Sequence, residues 1–551
     1  MKFFNKYRVE LTVEQKRERK KDLLLGILSG VLLGLSYPPV PLPFLSFFAF
    51  IPFFYVMEKR ETLASLNRFA YFALFFFNLI TLYWVGSWTK EADTFLMISG
   101  GALLFFNPFF YLIVPMLYHF SKKTFGKKIA LFLFPFYWVT FEYLYSLTDA
   151  RFPWLTLGNC LPYFNTFIQV ADVVGAYGLS LIILFINIFL YLSLRDLRVT
   201  RKINNAYASA SLAIFFVVLI YGTVRLNTFE ISKNKIKVGL VQPDLNPWDK
   251  WRAGNLNEQL DQYLSLSERA VDQGAKLIVW PESALPVYFL SGNYDYEVTR
   301  LHQFVNSKNI DLMTGMPDVN YYFNKNEAPK DAKETKRGVL YTSYNSILHF
   351  TPNSQTVQKY GKIKLVPFGE HVPFVEQLPF LGDFIKWEVG ISSWNVGKDQ
   401  IVFNISDSKN FPLKVGGVVC IESIYPDFVA GFVQRGANLI VVVTNDSWYG
   451  HSSGPYQHKE ISVLRAVENR KSVVRCANGG VSCIIDPLGR TISSTKLFTR
   501  DVLVGDVVVQ DGLTIYSRFP LIFPLFASFI SIVTIFFFFY KKLSNKLKKQ
   551  S

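Results

Sequence analysis

Long blocks of apolar residues, several close to the length that crosses a bilayer, fill roughly the first 225 positions and return once near the end. Runs near Leu23–Tyr37, Phe44–Val56, Phe69–Trp88, Phe95–Phe120, Ile129–Tyr145, Val170–Leu194, Ala208–Val224 and Leu521–Tyr540 predict eight membrane-spanning helices. The first two are short and Pro-flanked, which blurs their ends. From about Lys235 to Val509 the texture changes. Short β-branched runs such as KIKVGLVQ, LKVGGVVC, LIVVVTND and SVVRCAN alternate with helical spacing at Asn255–Gln273 and Gln457–Asn469. Near-continuous apolar runs suit strands buried on both faces. Their alternation with helices predicts an α/β sandwich of packed sheets with helices outside. The polar stretch Asn324–Arg337 reads as a surface loop. The predicted organisation is a membrane domain over 1–230 with about seven spans, a sandwich domain over 231–512, and a last span with a basic tail over 513–551.

Composition supports this reading. Hydrophobic residues make up 50% of the chain and 53 residues are Phe, as expected where side chains face hydrocarbon. The net charge of +16 raises nucleic acid as a partner, so its location decides. Segments 1–22, 57–68, 121–128, 195–202 and 541–551 hold 24 of the 58 basic residues and only seven acidic ones. The excess charge therefore lies in loops and tails beside the spans, not on one basic face, which excludes nucleic acid. Lys and Arg in short loops mark the cytoplasmic side. With the N-terminus inside, the outer connections at 38–43, 89–94 and 146–169 contain only Lys90 and Arg151. Seven spans then put the sandwich outside, and the eighth returns the Lys-rich tail to the cytoplasm. The first span follows a basic stretch without an A-x-A-like site before the next, and reads as an uncleaved anchor.

The four cysteines, Cys160, Cys420, Cys476 and Cys483, are too few for a disulfide-built domain. A two-residue loop at Gly479-Gly480 would set Cys476 directly across from Cys483. Cross-strand bridges are commonly strained, so two thiols are expected. No CxxC, His pair, HExxH, P-loop or GxGxxG after a strand appears, so neither a metal site nor a cofactor is expected.

Three stretches end in reactive side chains: LIVWPES with Glu282, YGKIKLVPFGEHVPF with Lys362, and GGVVCIES with Cys420. All lie at or just beyond strand ends, where α/β folds place their chemistry. Glu282 follows Trp280 and Pro281, a semi-apolar setting that suits a general base. A thiol becomes a good nucleophile as thiolate, and a base with a nearby cation supplies that. Lys362 and Lys364, two apart on a strand, project from one face, so periodicity does not choose between them.

Together WPES, Y-x-K-x-x-LVPFGEHVPF, GGVVCIES, TNDSWYG and RAVENRKSVVRCANGGVS resemble the nitrilase superfamily. More narrowly, with FPW at 152–154 and Gln169, Asp172, Gly175, Gly178 and Ser180, they resemble the bacterial apolipoprotein N-acyltransferases. That resemblance implies an αββα nitrilase-like sandwich on eight spans in the inner membrane, with the sandwich on the periplasmic face and both termini cytoplasmic. It implies a Glu282-Lys362-Cys420 triad, with supporting roles for Glu370, Glu422 and Trp251. Position 364 is Lys where such proteins more usually have His, and residue 421 is Ile where an aromatic often follows the Cys. The expected reaction takes an acyl chain from a membrane phospholipid, through a Cys420 thioester, to the α-amine of a diacylglyceryl-modified cysteine on a lipoprotein. Alternatives are a membrane-anchored amidase or nitrile hydrolase, and a non-catalytic scaffold or transporter using Glu142 and Asp172. The apolar loops 377–387 and 423–428 are expected to form membrane-facing lids.

Overall fold

The computed structural model describes residues 12–89, 92, 94–250, 256–374, 394–405 and 411–547. Its membrane part begins with α1 (Val13–Leu35), α2 (Phe50–Lys59), α3 (Leu63–Leu82), α4 (Thr94–Tyr111), α5 (Ile113–Phe125) and α6 (Lys127–Leu147). After the short α7 (Asn165–Ile168) come α8 (Ala171–Thr200) and α9 (Asn205–Thr228). Among the described residues, six helical stretches are long and apolar enough to cross a membrane: Leu63–Gly86, Thr94–Phe125, Lys127–Leu147, Ala171–Thr200, Asn205–Thr228 and Ile522–Ser544. They match the third to eighth apolar runs, and the protein is a multi-pass membrane protein.

The first two runs fall short for a physical reason. The start of α1 is charged, and its apolar part, Leu23–Leu35, rises only about 20 Å. Pro38, Pro39, Pro41 and Pro43 then bar a continuous helix, and the chain takes a 3₁₀ turn over Pro43–Phe47. The 10 residues of α2 follow. Its buried face is aromatic: Phe50 meets Trp138 with ring centroids 5.0 Å apart, and Phe54 meets Phe134 at 5.2 Å.

The sandwich has two facing sheets. The first is built from β1 (Lys235–Gln242), β2 (Leu277–Trp280), β3 (Asp311–Tyr322), β4 (Lys333–Glu334), β5 (Leu340–Phe350) and β6 (Gln358–Gly361). The second holds β7 (Val402–Ile405), β8 (Leu413–Val419), β9 (Leu439–Thr444), β10 (Ser472–Ala477), β11 (Cys483–Ile485) and β12 (Thr491–Ser494). A final strand, β13 (Asp501–Val508), returns to the first sheet. The orders are β13-β1-β2-β3-β5-β4, with β6 on β5, and β12-β11-β10-β9-β8-β7. The catalytic candidates follow β2, β6 and β8. Of these, β2 and β8 each run parallel to a neighbouring strand.

The short α10 (Pro247–Lys250) precedes α11 (Leu256–Asp272), which covers the outer face of the first sheet together with α12 (Asp295–Lys308). The second sheet is covered by α13 (Pro426–Gln434) and α14 (Gly454–Asn469). The short α15 (Ile515–Arg518) leads into α16 (Ile522–Leu547), the last span.

The helix α14 also packs on α8, so one layer serves both the sandwich and the membrane bundle. Gly175, at φ 64°, breaks α8 just after its start. The break lets the Ala176 N–H donate to Glu468 Oε1 at 2.9 Å. Arg470 donates to Asp172 Oδ2 at 2.8 Å and to Gln169 Oε1 at 2.6 Å, and Arg225 reaches the same Asp172 oxygen at 2.8 Å. Tyr221 closes the set with a 2.7 Å bond to Asp172 Oδ1. Asp172 is thus committed to the seam between the two parts. Glu142 accepts from Trp138 Nε1 at 2.9 Å and from the Leu157 N–H at 2.8 Å.

Two local expectations need correction. β10 and β11 pair Arg475 with Cys483, not Cys476. A one-residue change of register moves a side chain to the other face. Cys476 therefore points between the sheets, its Sγ against the Val241 and Val279 carbonyls, and both thiols are free. The segment 423–428 is not a lid. Ser423 to Pro426 and Phe428 are buried in the turn after β8 and in α13. The loop 377–387 lies outside the described residues, as does Trp251.

Candidate active site

Cys420 stands at a sharp elbow. β8 runs buried to Val419, and the chain then enters a 3₁₀ turn over Cys420–Ile424. Cys420 itself has φ 49°, a left-handed conformation that a side-chain-bearing residue adopts only when its surroundings impose it. Three contacts impose it here. Glu422 Oε2 accepts from the Val419 N–H at 2.8 Å. The Cys420 carbonyl accepts from Ser423 Oγ at 2.9 Å and faces His458 Nε2 at 3.1 Å.

Glu282 follows β2 and is buried. The chain beside it must be thin: a Cβ on Gly315 would stand 2.6 Å from the Glu282 Cα. Asn345 Nδ2 donates to Glu282 Oε1 at 2.7 Å and to Glu370 Oε1 at 2.9 Å, aligning the two carboxylates. The Asn445 N–H donates to Glu282 Oε2 at 3.1 Å. Lys362 is 1% exposed, with its Nζ 2.8 Å from the Glu370 carboxylate and 3.3 Å from Glu282. Glu370 is set by the tight loop after Leu365, where the Val366 N–H donates to its Oε2 at 2.9 Å.

The two lysines part company because β6 ends at Gly361 and strand periodicity stops with it. Glu422 Oε1 accepts from the Ile363 N–H at 2.7 Å and the Lys364 N–H at 3.1 Å, which bends the chain. Lys362 faces the carboxylates, whereas Lys364 Nζ lies 5.4 Å from the centroid of the Tyr425 ring. Glu422 also accepts from the Tyr360 hydroxyl at 2.8 Å, so it ties the lysine loop to the cysteine elbow.

Electrostatics follow from burial and charge. Burial alone would lower the Lys362 ammonium, but Glu370, Glu282 and Cys420 outweigh it and hold it well above the usual lysine range. Burial pushes the Cys420 thiol well up, and the negative charge of Glu282 adds to this while Lys362 opposes it. These surroundings favour the thiol over the thiolate. Burial pushes Glu422 up to about 7.

Glu282, Lys362, Glu370 and Cys420 line one cavity of ≈ 170 Å³. Its far wall comes from the membrane part, through Val85, Leu96, Ser99 and Leu103, with Phe152 beside them. Glu422 lies behind the cavity. Among the described residues no three His, Cys, Asp or Glu side chains converge as metal ligands.

Several residues at the site went unread in the sequence. Asn345 is a buried amide in the strand run YTSYNSILHF, where Thr342, Ser343 and Ser346 are polar too, so the pattern does not single it out. The set His458, Asp446 and Arg475 lies under the elbow. His458 Nδ1 is 2.9 Å from Asp446 Oδ1, and Arg475 reaches Asp446 Oδ2 at 2.5 Å. These residues sit on three different elements, the turn after β9, α14 and β10, so no single local pattern carries a sign of them.

Residues 237–512 match the carbon-nitrogen hydrolase family, and residues 29–189 match the apolipoprotein N-acyltransferase N-terminal domain. The apolipoprotein N-acyltransferase of Chlorobaculum tepidum is 34% identical over 92% of this chain and 94% of its own length. That of Geobacter metallireducens is 30% identical over 92% of each chain. The solved structure of Saccharomyces cerevisiae Nit3, a member of branch 10 of the nitrilase superfamily, aligns at 17% identity over 53% of this chain and 97% of its own, with a TM-score of 0.36. Matched in both its membrane and its sandwich parts, and along nearly its whole length by these relatives, the chain belongs to the apolipoprotein N-acyltransferase family.

Proposed function

We propose that the protein N-acylates lipoproteins in two half-reactions joined by a thioester on Cys420. In the first, Glu282 takes the thiol proton as Sγ attacks the ester carbonyl of a phospholipid acyl chain. The Lys362 ammonium stabilises the developing oxyanion, a role that often supplies the largest rate term. The ester C–O bond breaks, Glu282 returns the proton to the leaving oxygen, and a lysophospholipid departs. In the second, the α-amine of an N-terminal diacylglyceryl-cysteine attacks the thioester. Glu282 or Glu370 takes the amine proton, the amide forms, and the sulfur leaves and recovers its proton.

The observation that carries this reading is the composition of the cavity. One wall bears base, cation and thiol, and the opposite wall is made of membrane helices. An acyl chain reaching the thiol from the bilayer passes along Leu96 and Leu103. Because the surroundings favour the thiol over the thiolate, proton removal must accompany attack, which is the work of a base within reach. Glu370, Asn345 and Glu422 hold the three groups in place.

The same reading extends to topology. α1 and α2 form a short pair that completes eight crossings. Both ends of the chain lie in the cytoplasm and the sandwich lies on the periplasmic face, as the placement of Lys and Arg supports. The division at about 230 and 512 separates the catalytic domain from the spans.

Mass spectrometry of the intact protein incubated with phospholipid alone tests the proposal. An increase by one acyl chain, mapped to Cys420, is expected. Unmodified protein alongside released ammonia from small amides would favour an amidase that uses water as acceptor.

A further inference from the structure

The bundle holds a second cavity, of ≈ 670 Å³, between α1, α2, α6 and α8. α8 measures its distance from the active site. Ala176, near the start of this helix, bonds to α14 of the catalytic domain, and Arg195 and Arg198, near its end, line the cavity. The helix between them rises about 30 Å, the thickness of the hydrocarbon core. The cavity therefore opens at the leaflet opposite the active site.

Its lining is strongly cationic. Lys21, Lys59, Lys127, Arg195 and Arg198 surround it, against one carboxylate, Glu58. Arg195 pairs with Glu58 at 3.4 Å, and Lys59 stands 3.7 Å from both Glu18 and Asp22. Among the described residues, Lys21, Lys127 and Arg198 have no carboxylate within ion-pair distance. Two of the cations crowd a single ring: Lys59 Nζ is 4.1 Å and Arg198 Cζ 4.9 Å from the Tyr55 centroid. Like charges gathered around one hollow repel, and an anion placed among them relieves the repulsion. The snorkelling expected of basic residues at a membrane surface spreads them outward into water, whereas these converge on a concavity.

The floor is apolar. Leu25, Ile51 and Leu194 line it, and Leu28 and Leu194 are 44% and 50% exposed. The hollow thus has a cationic rim that grades into surface suited to acyl chains, a combination that a free phosphate ion does not need.

We infer that this cavity binds an anionic phospholipid of the opposite leaflet, its phosphate on Lys21, Lys127 and Arg198 and a chain along Leu25 and Leu194. The chemistry is that of a phosphodiester with attached hydrocarbon. Bound there, the lipid ties together α1, α2, α6 and α8.

Native mass spectrometry and thermal unfolding of the full-length protein in detergent test this with three probes: phosphatidylglycerol, phosphatidylethanolamine and inorganic phosphate. Phosphatidylglycerol is expected to be retained and to raise the unfolding temperature, with little effect from the other two at equal concentration. A Lys127→Gln/Arg198→Gln double variant should weaken phosphatidylglycerol retention by about tenfold or more, since each Lys or Arg near a headgroup counts about fivefold. Both side chains are exposed, so the variant should unfold at the wild-type temperature without lipid. Should it unfold earlier, Lys21→Gln alone, in the exposed start of α1, reads the same loss at about fivefold. Unchanged retention in these variants overturns the inference. Equal stabilisation by inorganic phosphate overturns the lipid assignment.

Discussion

The ammonium of Lys362 lies 2.8 Å from the carboxylate of Glu370. Glu282 is farther from it, at 3.3 Å, so the shorter ion pair belongs to the residue outside the proposed triad. In the proposed mechanism Glu370 neutralises the buried lysine and leaves Glu282 available for proton transfer. Glu370→Gln should slow thioester formation by about 10²-fold. It should also lower stability by about 3 kcal/mol, because breaking one side of a buried ion network strands charge. Single-turnover acylation together with thermal unfolding checks both effects, and wild-type acylation in this variant would remove Glu370 from the machinery.

Substitutions at the thiol and the base should separate chemistry from folding. Cys420→Ala should accept no acyl chain while remaining folded, and Cys420→Ser should be nearly as inactive because a hydroxyl ionises far less readily. Glu282→Gln should lower the acylation rate by about 10²–10⁴-fold, the usual worth of a general base. Normal thioester accumulation in Glu282→Gln, read by intact mass, contradicts the proton-transfer role.

Glu422 should leave a mark on the pH dependence of stability. Burial raises it to about 7 from the usual 4.5, so the folded protein holds more protons than the unfolded chain in that window. Its contribution to stability is present below pH 4.5 and is lost as pH rises through about 7, a fall of about 3 kcal/mol. Glu422→Gln does not titrate. It should be less stable at pH 5, where carboxyl contacts to the Val419 and Ile363 amides are missing, but should lose less on going to pH 8. Parallel unfolding temperatures for the two proteins from pH 5 to 8 would show that Glu422 does not titrate there.

The wall formed by α4 should discriminate between lipid and small reagents. Leu103→Trp narrows the cavity from the membrane side without touching Glu282, Lys362 or Cys420. Acylation from bilayer phospholipid should fall by about tenfold or more, while alkylation of Cys420 by a small water-soluble thiol reagent should change little. Equal loss with both reagents points to damage of the site itself and sinks the route along α4.

The buried strands are the most legible part of the fold. LIVVVT and SVVRCA are buried on both faces because sheet packs on one side and helix on the other, and they form β9 and β10. β12 is the opposite case: TISS is mostly exposed and polar, and only its pairing with β11 makes it a strand. The helix α13 escapes a sequence reading because PDFVAGFVQ lies so deep that its polar face nearly vanishes. At the site, the stretches holding Glu282, Lys362 and Cys420 are visible as strand ends with reactive side chains. Asn345 and the His458–Asp446–Arg475 set are not, since their roles arise only where separate strands and α14 converge. The choice between Lys362 and Lys364 rests on a bend made by Glu422, some sixty positions away, which local periodicity does not encode.

The Arg470–Asp172 seam bears on which lipids the protein can use. A buried ion pair backed by Arg225, Tyr221 and Gln169 does not swivel, so the sulfur is held at one height relative to the bundle. Such a protein acts as a depth gauge. On the mechanism proposed above it would react with whatever ester bond the bilayer presents at that level, and a change in bilayer thickness would detune it as surely as a change in headgroup.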